Sequence, residues 1–336
     1  MTTGILLHRR LGHTYAGQVA ISALCALSLL GVAAGLALSW RDSLPDPIAS
    51  HWSGAGAPDG FMSLGAFVTA LVVTGVLLVA LFTTIGVFGG RTASARRLSV
   101  GMNVWIGGFL GTVLTGSLWA QRGLSDAAQA LTPGWVLLAS VLGPGVLGLV
   151  AAMLVPGDPR LPATGPVEGG VGGADLAPGE RAAWIGRSTV ARTAVVVEVV
   201  VVLATLAAAA LSRTWVLLGV SVLVVLLTLT IAAVTVRVDA SGLTVRSALG
   251  LPRTHIPADE VLRASVTTVN PLGEFGGWGW RVALDGSGRT GMVLRRGEAL
   301  VVERSAGRTF VVTVDGAAEA AALLTTMAER ARPEEG

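Results

Sequence analysis

Residues 44–63 read LPDPIASHWSGAGAPDGFMS, and this stretch decides how the rest of the chain is parsed. Proline fixes φ and glycine opens positive φ. Pro45, Pro47 and Pro58 set among Gly54, Gly56 and Gly60 therefore predict a defined turn structure, not a loose tether. The stretch is a polar island. Before it an apolar run extends from about Val19 to Trp40, and after it another runs from about Leu64 to Phe88. Each is long enough to span a bilayer, and the first is too long for the apolar core of a cleaved leader.

Composition agrees with that reading. The 336 residues are 52% hydrophobic and 13% charged, against about 25% charged in soluble domains. Arginine without lysine, together with abundant alanine, valine and glycine, points to a bacterial genome rich in G and C. From Arg237 onward twelve arginines stand against twelve acids, so the C-terminal part lacks the basic footprint of a nucleic-acid binder. The single cysteine, Cys25, lies inside the first span and cannot form an intrachain disulfide.

Outward from the loop, a third span is expected over about 98–120, with two rows of small residues: Gly107, Gly111, Thr115 and Gly108, Thr112, Gly116. Such rows let helices approach closely, within the chain or in a homodimer. A fourth span, about 133–155, contains Gly143-Pro144-Gly145, which predicts a kink or break. Residues 156–191 are rich in Pro and Gly and read as a linker, its last part from Glu180 as a short helix. Two more spans are expected in 192–236, joined by a tight turn at Ser212-Arg213-Thr214. With the N-terminal arm (1–16) inside, the inner segments carry nine arginines (9, 10, 91, 96, 97, 160, 181, 187, 192) and the outer ones three (41, 122, 213). That bias places both termini in the cytoplasm and residues 41–63 outside, provided the number of spans is even.

From Val234 the apolar period changes to two. Strands are expected in VTVRVD, LTVRS, LRASVTTV, WGWRVALD, RTGMVLRR, ALVVERS and RTFVVTVD, with RTHIPADEV read as a strand end and a loop and hairpin turns at DGSG, RRGE and SAGR. A closing helix follows over about 317–332, with Ala320, Leu323, Leu324 and Met327 on one face. Roughly seven short strands and one helix, with the stretches GEFGGWGWR, RRGEALVVER and GRTFVVTV, resemble the pleckstrin-homology-like barrels of bacterial membrane proteins. The expected fold is therefore a membrane bundle of about six α-helices plus an all-β, barrel-like domain at 237–336 closed by one helix. In the loop, proline, then His51 followed by Trp52, then Gly56-x-Pro58-Asp59-Gly60 resemble a bacterial membrane-domain family of unknown function. The same domain opens the sporulation-delaying-toxin immunity proteins. The resemblance covers roughly residues 17–90 and stops there.

Three sets of residues are candidates for function. His51, Trp52, Pro58, Asp59 and Gly60 form the loop motif. His51 beside Asp46 and Asp59 in sequence could contact a ligand, titrate or bind a metal, or only staple the loop by hydrogen bonds. Glu198 is the one acid inside an expected span. It is either a proton or cation site, or an interfacial residue a few turns from Arg192. Arg289, Arg295 and Arg296, with Trp278 and Trp280, could meet a lipid headgroup or a peptide, or form surface ion pairs. Gly286-x-Gly288-x-x-Gly291 matches a dinucleotide fingerprint in letters only, because a strand follows it instead of a helix. No nucleophile–base pair, metal cluster or cofactor motif is evident, so the expectation is a multi-pass plasma-membrane protein that is not an enzyme. It would sense an external peptide or small ligand through the loop and a cytoplasmic partner or lipid through its C-terminal domain, the immunity-like part being what the resemblance implies. The alternative is a proton- or cation-coupled transporter using Glu198.

Overall fold

The computed structural model describes residues 2–52, 56–88, 92–131, 134–168, 170–177, 179–212, 216–250 and 253–332. The chain divides into two compact units, Met1–Gly157 with Val202–Val222, and Asp158–Val201 with Leu223–Gly336.

The first unit is helical. It contains α1 (Thr2–Ser39), α2 (Leu64–Phe88), α3 (Ala93–Trp119) and α4 (Gly134–Leu154), with a two-stranded hairpin, β1 (Ile48–Trp52) and β2 (Pro58–Met62), between α1 and α2. Among the described residues five helices are long and apolar enough to cross a membrane: α1 over Ala16–Ser39, α2, α3, α4, and α5 (Arg192–Ser212) over Arg192–Leu211. Leu24, Val32, Leu77 and Leu154 on their outward faces are 64–77% exposed. Apolar exposure on that scale suits lipid and not water, which marks a membrane protein.

The small-residue rows of α3 resolve into two different partners. A side chain at Gly107 would place its Cβ 2.7 Å from Ala26 Cα of α1, and one at Gly108 would meet Pro144 Cβ of α4 at 2.8 Å. Close packing within the chain uses both rows, and α4 runs through Pro144 without the expected break. α3 also begins earlier than hydropathy indicates. Thr92 caps it by accepting the Ala95 N–H, and Arg96 and Arg97 are helical, donating to the carbonyls of Pro156 and Val155. Arg91 lies outside the described residues.

The sixth expected span is shorter than read. Helix α6 (Val216–Ile231) has 16 residues, about 24 Å of axis, against a hydrocarbon core of about 30 Å. The expected end at Val236 fails because Val234 and Val236 belong to a strand with their side chains in a β core. The turn residues Arg213 and Thr214, and Trp215, lie outside the described residues.

The second unit holds two sheets. One is wholly antiparallel in the order of β3 (Trp184–Thr189), β4 (Ala233–Asp239), β5 (Gly242–Ser247) and β6 (Arg253–Pro257). The other contains β7 (Val261–Val269), β8 (Gly279–Val282), β9 (Thr290–Val293), β10 (Gly297–Arg304) and β11 (Arg308–Thr313), in the order β7-β10-β11-β9-β8 with β9 and β11 parallel. A short helix, α7 (Pro271–Phe275), precedes β8, and α8 (Ala317–Arg330) closes the chain. The sheets do not close into a barrel, which corrects the barrel-like expectation. Their inner faces share one core: Val236, Val245 and Ile256 from the first sheet, Met292, Leu300 and Val312 from the second, and Ala320, Leu324 and Met327 from α8.

The linker also differs from expectation. Its Pro/Gly composition prevents regular structure, yet from Asp158 it runs along the β unit. Glu168 and Val171 donate backbone N–H groups to Leu262 and Ala264 carbonyls of β7, a strand at the edge of its sheet. Arg330 holds the carbonyls of Leu176, Ala177 and Glu180, and Arg332 those of Ala163, Gly165 and Val261. The short helix expected from Glu180 is strand β3 instead. Thr189 pairs with Ala233 and Ser188 with Val234, so α5 and α6 form an insertion whose two ends meet at paired strands.

Candidate functional site

The loop motif folds as the β1–β2 hairpin. His51 pairs with Gly60 and Trp52 with Pro58. Gly60 is glycine for a steric reason, since a Cβ there would lie 2.8 Å from His51 Cβ. The start of β1 is buried on both sides: Ile48 and Ala49 are fully enclosed, and Ile48 packs with Ala37, Phe67 and Leu118 of the helices. Farther along the strand His51 Nδ1 lies 2.5 Å from Asp59 Oδ1, with the two side chains 73% and 47% exposed. An exposed imidazole–carboxylate pair on a rigid support can offer a donor, an acceptor and a titratable charge to a ligand. Asp46 does not complete a metal set: among the described residues no three His, Cys, Asp or Glu side chains converge.

The residues that fix this hairpin lie in the segment after α3, which reads in sequence only as a polar connection. Gln121 is fully buried and acts as a surrogate strand. The Ala49 N–H donates to Gln121 Oε1 at 2.7 Å, and Gln121 Nε2 donates to the Ala49 carbonyl at 2.9 Å and to the Ser117 carbonyl at 3.1 Å. Trp52 Nε1 donates to the Ala130 carbonyl at 2.8 Å. Asp126 caps the short turn at Ala127–Gln129, and Ala127 and Ala130 pack on Ala49. Arg122 lies over the Trp40 ring at 4.9 Å, and the Gly123 N–H donates to the Ser43 carbonyl. The signal that points here in sequence is an amide at the very end of an apolar span, where a lone polar group needs a partner.

Glu198 sits in the second turn of α5, about 9 Å along the axis from Arg192, and is half-buried. The third set is not one patch. Arg289 precedes β9 and forms ion pairs with Asp285 at 2.7 Å and Glu274 at 3.8 Å. Arg295, at the other end of β9, pairs with Asp315, and Arg296 beside it is exposed. Trp280 stacks at a tilt on Phe310, 5.6 Å between centroids, and Trp278 is half-buried with its carbonyl held by Arg281.

The turn before β9 is an Asx turn, as its glycines predict. Hydrogen bonds from the Ser287 hydroxyl and N–H, aided by Arg289, lower the Asp285 carboxyl from 3.8 to about 2. A folded-state value below the unfolded one means that the stabilisation is complete above about pH 4 and is lost as pH falls from about 4 to about 2. Asp285→Asn should therefore flatten the acid limb of the β unit's stability curve in that window. An acid limb identical to wild type would show that the turn contributes nothing to acid sensitivity.

A family model described as Domain of unknown function (DUF1648) matches residues 27–76. The match takes the last third of α1, the whole hairpin and the first half of α2, which is consistent with a membrane domain of unknown function. No curated protein and no solved structure matches the chain.

Proposed function

We propose that this chain is a non-enzymatic sensing or regulatory protein of a bacterial plasma membrane, immunity-like in its logic, that recognises an external peptide or small ligand through the β1–β2 hairpin. The observation that carries the reading is the combination of a firmly docked strand and an exposed His51–Asp59 pair farther along it. Trp52, Pro58 and Gly60 flank that pair in the hairpin, and His51 and Asp59 present its polar groups.

The proposed topology is six crossings with both termini in the cytoplasm. Two features support it. Arginine is concentrated on the segments assigned inside. In addition, β3 leads into α5, α6 leads into β4, and β3 pairs with β4. Strands paired in one sheet lie on one side of a bilayer, so the chain between them crosses an even number of times. In this reading the β unit is cytoplasmic and related to pleckstrin-homology-like domains, with two sheets over one core and a closing C-terminal helix. It would engage a protein or lipid headgroup through Arg296 and the Trp278–Trp280 edge, and it has no nucleic-acid partner.

A second reading, a proton- or cation-coupled transporter, rests on the half-buried carboxylate of Glu198 inside an apolar span. One experiment separates the two. Cells expressing wild type, His51→Ala or Glu198→Gln are challenged with membrane-active peptides at two external pH values while survival and membrane potential are followed. Ligand recognition predicts loss of response in His51→Ala, with the purified variant melting within about 1 kcal/mol of wild type because the pair is exposed. Wild-type behaviour of His51→Ala would reject the hairpin as the recognition element. A pH-dependent potential change lost only in Glu198→Gln would favour transport.

A further inference from the structure

The middle of the helical unit contains a polar cluster that neither reading uses. Asn103 of α3 is fully buried, and its Nδ2 donates to Ser22 Oγ of α1 and Thr83 Oγ1 of α2, both at 3.1 Å. Asn103 lies six residues beyond Arg97, about 9 Å along the axis, inside the apolar part of α3. Its Oδ1 is buried and finds no hydrogen-bond partner among the described residues. The same holds for Ser99 Oγ, one turn earlier on α3 and also fully buried, and for Gln18 Oε1, one turn before Ser22 on α1. Surrounding lipid offers no donors, so an orphan carbonyl at this depth has to be satisfied from inside the protein.

We propose that Asn103, Ser99 and Gln18 bind an ordered internal water that pins α1 to α3. The placement fits one molecule. Asn103 of α3 meets Ser22 of α1, Ser99 and Gln18 each lie one turn earlier on those two helices, and a Cβ on Gly86 would touch both Ser99 and Val19, the neighbour of Gln18. The chemistry fits as well. Asn103 Oδ1 and Gln18 Oε1 only accept, and the Ser99 hydroxyl can donate. A water donating twice and accepting once satisfies all three, and buried waters typically make about three bonds. A metal cation fits less well. Ser22 and Thr83 oxygens already accept from the Asn103 amide, which leaves three neutral oxygens and no carboxylate in the cluster. Gly86 permits the close approach, because a Cβ there would lie 2.6 Å from Ser99 Oγ.

The test uses the full chain in lipid nanodiscs. A cryo-electron-microscopy map fine enough to show waters should contain a peak within about 3.2 Å of both Asn103 Oδ1 and Ser99 Oγ. A protein donor on Asn103 Oδ1 with no peak there would overturn the proposal. Melting of Ser99→Ala, Asn103→Leu and the double variant gives an independent check. With a shared water, the double variant loses less than the sum of the single losses, because removing either end already releases the molecule. Additive losses reject the sharing. Melting should also be equal in sodium and choline chloride. A saturable sodium-specific rise of about 3 °C or more, absent in Asn103→Leu, would replace the water with a cation.

Discussion

Replacing Glu260 with alanine is expected to lower the melting temperature of the β unit by roughly 10 °C, from a loss of about 3–5 kcal/mol. Glu260 is 2% exposed and accepts from two arginines that are themselves enclosed, Arg304 and Arg308, the latter at 3.2 Å. It also accepts the Leu161 N–H at 3.0 Å, at the start of the segment that runs along the β unit. Removing the carboxylate takes the shared acceptor from two buried guanidiniums, while Asp158 lies farther off, 3.7 Å from Arg308. The cost comes from stranding charge, not from losing an attraction. Replacing the whole cluster with apolar residues of similar volume should therefore cost far less than Glu260→Ala alone. The control is Arg160→Ala, which breaks the Arg160–Asp259 pair. Arg160 is 70% exposed there, so the expected loss is below about 1 kcal/mol. Equal melting of the two variants, followed by tryptophan fluorescence, would refute the buried network as a source of stability.

The second large effect is expected at Gln121. Gln121→Ala removes both hydrogen bonds to Ala49 and leaves a buried N–H and a buried carbonyl without partners. Each orphan costs about 1–3 kcal/mol, so the docked hairpin should weaken by about 2–6 kcal/mol. Hydrogen exchange of the Ala49 amide should then accelerate by about 30-fold or more, at 1.4 kcal/mol per tenfold. The exposed Gln129 serves as the comparison, and Gln129→Ala should leave that amide unchanged. Gln121→Ala should also abolish any response that depends on His51 although His51 is still present, because the pair would lose its fixed support. Unchanged Ala49 exchange would mean that Trp52 and the packing of Ala127 and Ala130 hold the hairpin without the amide.

The sequence by itself determined the elements whose signal is local. Apolar runs of span length gave four of the helices in the first unit, since a bilayer sets their length directly. Period-two alternation placed β4, β5 and β7 to β11 within a few residues, while β6 was read as a strand end and a loop, and the 3.6-residue period placed α8 and its buried face. The loop was legible as a defined turn structure because its prolines and glycines constrain neighbouring backbone, whereas the β pairing that sets Gly60 against His51 came from the structure.

Only the tertiary structure decided what depends on groups distant in the chain. Val234 and Val236 read as the end of a span, and a partner strand 46 residues earlier in the chain claims them instead, Ser188 opposite Val234. Residues from Asp158 lack any period, so nothing local foretells that arginines at the far end of the chain will hold their carbonyls. The arginines read as one cluster are separated by β9, and Arg289 and Arg295 pair with acids from other segments, Glu274 and Asp315. Gln121 is the sharpest case: its place in the sequence marks the end of a helix, and its role follows from a peptide group 72 residues away that has no strand on its free side. Hydrophobic period is a property of one segment, whereas satisfaction of a buried polar group is a property of whichever segments meet around it.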